Sequence, residues 1–150
     1  MADIVSPQKR SQMMAGIRGK DTKPELLVRR ELHRRGFRFR LHRKDLPGRP
    51  DVFLAKFSAA IFINGCFWHG HDCKHFRLPK TNTQFWKDKI ERNRERDLIA
   101  RTRLSELGIR HATVWECALQ YNQENVTSEL LDRICAWLCS GSNEIELDGL

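Results

Sequence analysis

Four residues able to grip a soft metal ion lie close together in this sequence. Cys66, His71 and Cys73 fall within eight residues, and Cys117 follows 44 positions after Cys73. Thiolates and imidazoles in a set of four suit tetrahedral zinc, and three of them in one short stretch suit a knuckle. The spacing is not that of a common zinc finger. The bland alternative makes Cys117 a small core residue and the others ordinary loop residues. Zinc is favoured because residues 64–82 carry no helix or strand pattern that would hold such a loop in shape. Cys135 and Cys139 sit four apart on an apolar helical pattern and read as core.

Asp51 is the second candidate. It heads an apolar run and is reached through the turn Leu46-Pro47-Gly48-Arg49-Pro50. An acid placed there projects from a sheet edge, where a divalent cation could bind together with a phosphate. A solvated turn acid would look the same. The usual companion in metal-dependent nucleases, an Asp/Glu-x-Lys on the following strand, is missing. Ile61-Phe62-Ile63-Asn64 supplies neither group, and Ile63 offers only its backbone carbonyl. Phe67-Trp68-His69 and Phe85-Trp86 set aromatic rings beside basic residues, where rings stack on bases or wedge between them. A satellite core is the alternative, and it is the better reading for Phe85.

Elements must position these groups. Thr22-Lys23-Pro24-Glu25 reads as a helix start, with Thr as N-cap, Pro in the first turn and Glu three after the cap. That helix runs through Leu26, Leu27 and Leu32 to Gly36. Phe37 to His42 alternates apolar and polar, a strand with one wet face. Asp51–Ala55 and Ala59–Ile63 are more apolar strands, and the short link Lys56-Phe57-Ser58 makes them an antiparallel hairpin. A long helix follows from about Thr83 to Leu107, with a sparse stripe of Trp86, Ile90, Leu98, Leu104 and Leu107. Ile109–Trp115 is a fourth strand, reached through a crossover helix and parallel to one of the others. Near Thr127 begins a last helix bearing Leu130, Leu131, Ile134, Trp137 and Leu138 at amphipathic spacing. The tail after Ser140 is acidic and expected to be loose. The order α-β-β-β-α-β-α describes an α/β fold, a small mixed sheet with helices packed on it.

At 150 residues the chain suits one domain, and 40% apolar residues allow a modest core. No apolar run approaches the roughly 18–20 residues that span a bilayer, and Met1 to Arg10 has no secretory h-region. Membrane and secreted classes are excluded on this reading, and an odd count of five cysteines points to a reducing cytosol. The net charge is +8 and the pI about 9.6, but the distribution says more. Residues 1–50 hold 14 basic and 5 acidic side chains, residues 51–110 hold 12 and 7, and residues 111–150 hold 1 and 7. The basic two-thirds would attract a polyanion, and nucleic acid is the commonest in a cell. Arginine outnumbers lysine 18 to 9, which suits bidentate phosphate contacts.

Leu46-Pro-Gly-Arg-Pro-Asp51, Gly65-Cys-Phe-Trp-His69, Phe85-Trp86, Glu95-Arg-Asp97 and Val114-Trp-Glu-Cys-Ala118 together resemble the very short patch repair (Vsr) endonucleases. The resemblance extends from about Arg10 to the final helix. It implies a restriction-endonuclease-like fold, a mixed central sheet flanked by helices, with a structural zinc. It further implies a monomer that uses magnesium to nick one DNA strand 5′ of the mismatched thymine at T:G mismatches left by 5-methylcytosine deamination. The implied setting is the bacterial cytoplasm with the nucleoid, away from any membrane, in contact with other mismatch-repair proteins.

Carried onto this chain, the resemblance makes Asp51 the metal-binding aspartate, assisted by the Ile63 carbonyl. His69 becomes the catalytic histidine and Glu25 and Asp97 its supporting acids. The zinc ligands fall on Cys66, His71, Cys73 and Cys117. Phe67, Trp68 and Trp86 become the wedge beside the mismatch, and Met14 and Ile17 enter the groove from the other side. Residues 1–20 would then be a DNA-contacting segment, flexible without DNA, residues 21–140 the endonuclease domain and residues 141–150 an acidic tail. The chain departs from the better-known members at Asn64, where they carry a second histidine, at Ile63, where they carry threonine, and at Gly70 within a histidine run. Glu25 keeps two readings, catalytic acid or capping-box residue. Two rival functions remain: a zinc-stabilised DNA-binding protein without catalysis, and a restriction enzyme cutting paired DNA.

Overall fold

The computed structural model describes residues 22–73, 76–119 and 124–149; Met14 and Ile17, with the rest of the N-terminal segment, lie outside them. Helix α1 spans Lys23–Arg34. Thr22 caps it as expected, its hydroxyl accepting the Glu25 N–H at 3.4 Å, with Pro24 in the first turn. The helix buries Glu25, Val28 and Leu32, one face at i, i+3 and i+7. Burying Val28 and Leu32 contributes roughly 3–6 kcal/mol, enough to hold a carboxylate on the same buried stripe.

Five strands form one sheet among the described residues, in the order β1-β2-β3-β4-β5. Strand β1 is only Arg40–Leu41, shorter than the period-two run from Phe37 to His42 predicts. Phe37 and Phe39 do pack inward on the core. His42 stops the strand because its backbone turns to φ 47°, although its N–H still reaches the Asp51 carbonyl at 3.2 Å. Strands β2 (Val52–Leu54) and β3 (Ala59–Asn64) make the expected antiparallel hairpin, with Val52 opposite Ile61. Helix α2 (Thr83–Glu106) then crosses over to β4 (Arg110–Trp115), parallel to β3 from Ala59↔Arg110 to Asn64↔Trp115.

Helix α3 (Glu124–Leu138) starts about a turn before Thr127 and buries the five apolar positions that its spacing predicts. The tail is not loose. Glu144–Leu147 forms β5, parallel to β4, with His111 opposite Glu144 and Val114 opposite Leu147. Ile145 and Leu147 pack on the core while Glu144 and Glu146, alternating with them, are exposed, so acidic composition conceals a period-two strand.

The sheet lies between two helical layers. Val52, Leu54 and Ile61 share a core with Val28 and Leu32 of α1 and Leu131 and Ile134 of α3. Phe53 and Ala60 face the other way, onto Leu104 of α2. Helix α2 buries only Ile90, Ala100 and Leu104; Leu98 and Leu107, expected in its stripe, are exposed. Cys139 is exposed too, not core. Among the described residues no helix is long and apolar enough to cross a membrane.

Candidate active site

Asp51 leaves the Gly48–Pro50 turn pointing at β3, where its Oδ2 accepts the Ile63 N–H at 2.7 Å. Only glycine fits the turn: Gly48 has φ 76°, and a Cβ there would lie 2.6 Å from the Ala100 methyl of α2. From α1 the Glu25 carboxylate, 2% exposed, arrives beside Asp51. One Glu25 oxygen accepts from Arg29 Nη1 at 2.8 Å and pairs with His42 Nε2 at 2.7 Å. Thr22 therefore caps the helix while the Glu25 side chain turns into this cluster. Glu25, His42 and Asp51 each offer one ligand atom, all within 4.8 Å of one another. Burial, and then the neighbouring Glu25 carboxylate, push Asp51 up to about 7 against the opposing pull of the Ile63 N–H. A bound cation would relieve that conflict.

His69 and Asp97 form a second pair. The His69 Nδ1 lies 2.5 Å from Asp97 Oδ2. A carboxylate there accepts a hydrogen bond from Nδ1–H, a tautomer that leaves Nε2 with its lone pair free. Both side chains line a cavity of about 630 Å³ together with Asn64, Asn93, Arg49 and Arg96. Asn64 follows Ile63 on β3, so this cavity adjoins the Asp51 cluster along one strand.

His69 is held by its neighbours in the loop. Its N–H bonds to the Gly65 carbonyl at 3.3 Å, and the His71 N–H bonds to that of Cys66 at 2.9 Å. Gly70 at φ 63° presses the loop on α2, where a Cβ would lie 2.6 Å from Ile90. Asn93 of α2 donates to the Trp68 carbonyl at 2.8 Å.

Cys66, His71, Cys73 and Cys117 converge as the spacing predicts, with ligand atoms within 4.8 Å of one another. Burial pushes the Cys66 and Cys117 thiols up. The His71 ring stacks on Trp115 at 4.2 Å, and its Nδ1 lies 3.5 Å from Cys117 Sγ. The C-terminal strand closes over this centre. Asp148 Oδ2 stands 3.6 Å from His71 Nε2, the Gly149 N–H donates to Cys117 Sγ at 3.4 Å, and Trp115 donates to Glu146 at 2.6 Å. Phe67, Trp68 and Trp86 touch one another edge-on, with centroids 5.2–5.7 Å apart, all partly exposed, and Lys89 lies over Trp68.

Sequence reasoning missed His42, Asn93, Glu146 and Asp148. For His42 a signal existed: a hairpin about the Leu46–Pro50 turn that pairs Leu41 with Val52 brings position 42 opposite 51.

A buried and a half-buried carboxylate beside an imidazole, with a second imidazole–carboxylate pair in the adjoining cavity, are groups suited to a hydrolase. A family model described as DNA mismatch endonuclease Vsr matches residues 2–75. The chain is 44% identical over 134 residues to the type II nicking enzyme V.NmeAIP of Neisseria meningitidis serogroup A, covering 89% of this chain and 94% of that protein. It is 48% identical over 119 residues to the type II nicking enzyme V.XorIIP of Xanthomonas oryzae pv. oryzae, covering 79% and 88%. To the DNA mismatch endonuclease Vsr of Escherichia coli K12 it is 39% identical over 148 residues, covering 99% and 95%. The chain belongs to the Vsr family of DNA mismatch endonucleases, and it is a strand-nicking endonuclease.

Proposed function

We propose that the protein nicks one strand of duplex DNA on the 5′ side of the mismatched thymine at T:G mismatches left by 5-methylcytosine deamination. The observation that carries this reading is the placing of the Asp51–Glu25 acids and the His69–Asp97 pair around one end of β3. Asp51 and Glu25, with the Ile63 carbonyl, would hold magnesium, and their oxygen-rich donor set fits a hard dication. When bound, that ion would neutralise charge on the attacked phosphate and on the leaving oxygen. His69 accepts the proton of the attacking water at Nε2, and Asp97 fixes the ring and balances its developing charge.

Three thiols and an imidazole fit zinc. Cys66, His71, Cys73 and Cys117 would hold it and so fix the turn that carries His69. Phe67, Trp68 and Trp86 form the wedge, joined by Met14 and Ile17 from the N-terminal segment. Unstacking costs a few kcal/mol per step and less at a weak pair, so a wedge prefers a mismatch before any base is read. We read the mixed sheet between two helical layers as restriction-endonuclease-like and the protein as a monomer on DNA.

The test is a duplex carrying one T:G pair beside the same duplex fully paired, each incubated with magnesium. A single nick 5′ of the thymine, absent from the paired duplex and lost in Asp51→Ala, is expected. Binding without a nick would establish the DNA-binding protein instead, and double-strand cuts in paired DNA a restriction enzyme.

A further inference from the structure

We propose that His42 is a third protein ligand of the catalytic cation, making an Asp–Glu–His site that takes Mn²⁺ or Co²⁺ more tightly than Mg²⁺. The proposal rests on the reading that a cation binds at Asp51. His42 Nε2 already stands 2.7 Å from Glu25 Oε2. Neighbouring ligands of a six-coordinate ion with bonds of about 2.1 Å stand about 3 Å apart, so the contact is close to the spacing that a shared ion requires. Asp51 completes the group, its ligand atom within 4.8 Å of both others.

The imidazole is delivered there by its backbone. His42 sits in the left-handed region at φ 47°, a conformation that histidine adopts more readily than most residues, and its N–H is tied to the Asp51 carbonyl at 3.2 Å. The residue that binds the metal and the one that brings the imidazole are thus joined by the main chain. The His42 side chain is 22% exposed while that of Glu25 is 2% exposed, so water and ions reach the cluster on the histidine side. A nitrogen ligand shifts preference from magnesium, which favours oxygen, toward later divalent metals in the order Mn²⁺ below Co²⁺.

Binding can be read apart from catalysis. Mn²⁺ is titrated into the full chain with its Cys/His centre zinc-loaded, and electron paramagnetic resonance follows both free Mn²⁺ and nitrogen coupling to bound Mn²⁺. Nitrogen coupling in the wild type is expected, with its loss in His42→Asn and about tenfold weaker Mn²⁺ binding, while Mg²⁺ binding changes less than threefold. Asparagine tolerates the left-handed backbone and can still hydrogen-bond Glu25, so His42→Asn separates ligation from positioning. Wild-type coupling and affinity in His42→Asn would overturn the proposal and leave the Asp51 site standing. Mn²⁺ binding unaffected by Asp51→Ala would instead remove the reading on which it rests.

Discussion

Glu25 comes from α1, and His42 and Asp51 from the two ends of the β1–β2 connection, whereas three of the four Cys/His residues come from one loop of eight residues. The first cluster brings the Glu25 and Asp51 carboxylates together, and desolvation, then the Glu25 charge, push Asp51 up to about 7. The second is built from three thiols, those of Cys66 and Cys117 pushed up by burial, and from an imidazole stacked on Trp115. A centre of hard donors in charge conflict is suited to an exchangeable ion used in chemistry. A dense soft set is suited to an ion that stays and gives the loop its shape. Each cluster can be broken separately, and the consequences should differ in kind.

Asp51→Asn is expected to have the largest effect. Nicking should fall by about 10³–10⁴-fold, since ion-assisted charge neutralisation contributes several kcal/mol. The metal-free fold should become more stable. Asp51 is raised from 3.8 to about 7 in the folded chain, so it binds its proton more tightly folded than unfolded. Its contribution to stability is present below pH 4 and lost as pH rises through 7, by roughly 2–4 kcal/mol. Denaturant melts of metal-free protein at pH 5 and pH 8 should show this loss in the wild type and not in Asp51→Asn.

Cys66→Ser breaks the other cluster and should reverse the pattern, with stability lost first. Cys66 is fully buried, so the change removes a ligand and strands a hydroxyl. A loss of about 4 kcal/mol would lower Tm by roughly 8–16 °C in a chain of this length. Bound zinc, measured by metal analysis, should fall well below one per chain. Retention of one zinc per chain would refute the four-ligand centre.

The two clusters also differ in how far sequence discloses them. Cys66, His71 and Cys73 are close neighbours along the chain, so spacing alone brings out the soft centre. Asp51 is visible because a Gly-Pro turn leads into an apolar strand. Glu25 is ambiguous in sequence because its N–H stands at the position that Thr22 caps, while its carboxylate pairs with His42. His42 joins the site through strand register, and β1 pairs only two residues, too few for local pattern to declare. Strand β5 escapes notice for a related reason. Its partner β4 lies some thirty residues earlier, and glutamates occupy two of its four positions. The helices and the β2–β3 hairpin, whose signals are local, stand where their spacing predicts.

Asp97→Asn sharpens the comparison at the point where the clusters meet. Asparagine keeps the size of the side chain but no longer compels the Nδ1–H tautomer of His69. Nicking should fall about 10²-fold, with bound zinc and Tm unchanged. A drop in zinc content would mean that Asp97 supports the loop and not the base.

Asp148→Ala addresses the smallest effect, the hold of the C-terminal strand on the soft centre. Asp148 stands 3.6 Å from His71 Nε2, while His71 Nδ1 faces the thiols. A carboxylate on the far nitrogen of a ligating histidine orients the ring and raises its basicity, and losing such a group costs about 10–100-fold in metal affinity. Here the ring is also stacked on Trp115, which Glu146 anchors, so the lower end, about tenfold, is expected. Chelator competition would measure it, with nicking of zinc-loaded protein changed less than twofold. Asp148→Asn should recover part of the affinity, because an amide oxygen still accepts the Nε2 proton. Unchanged zinc affinity in Asp148→Ala would show that the tail only covers the centre, and would leave Trp115 and the loop as its whole support.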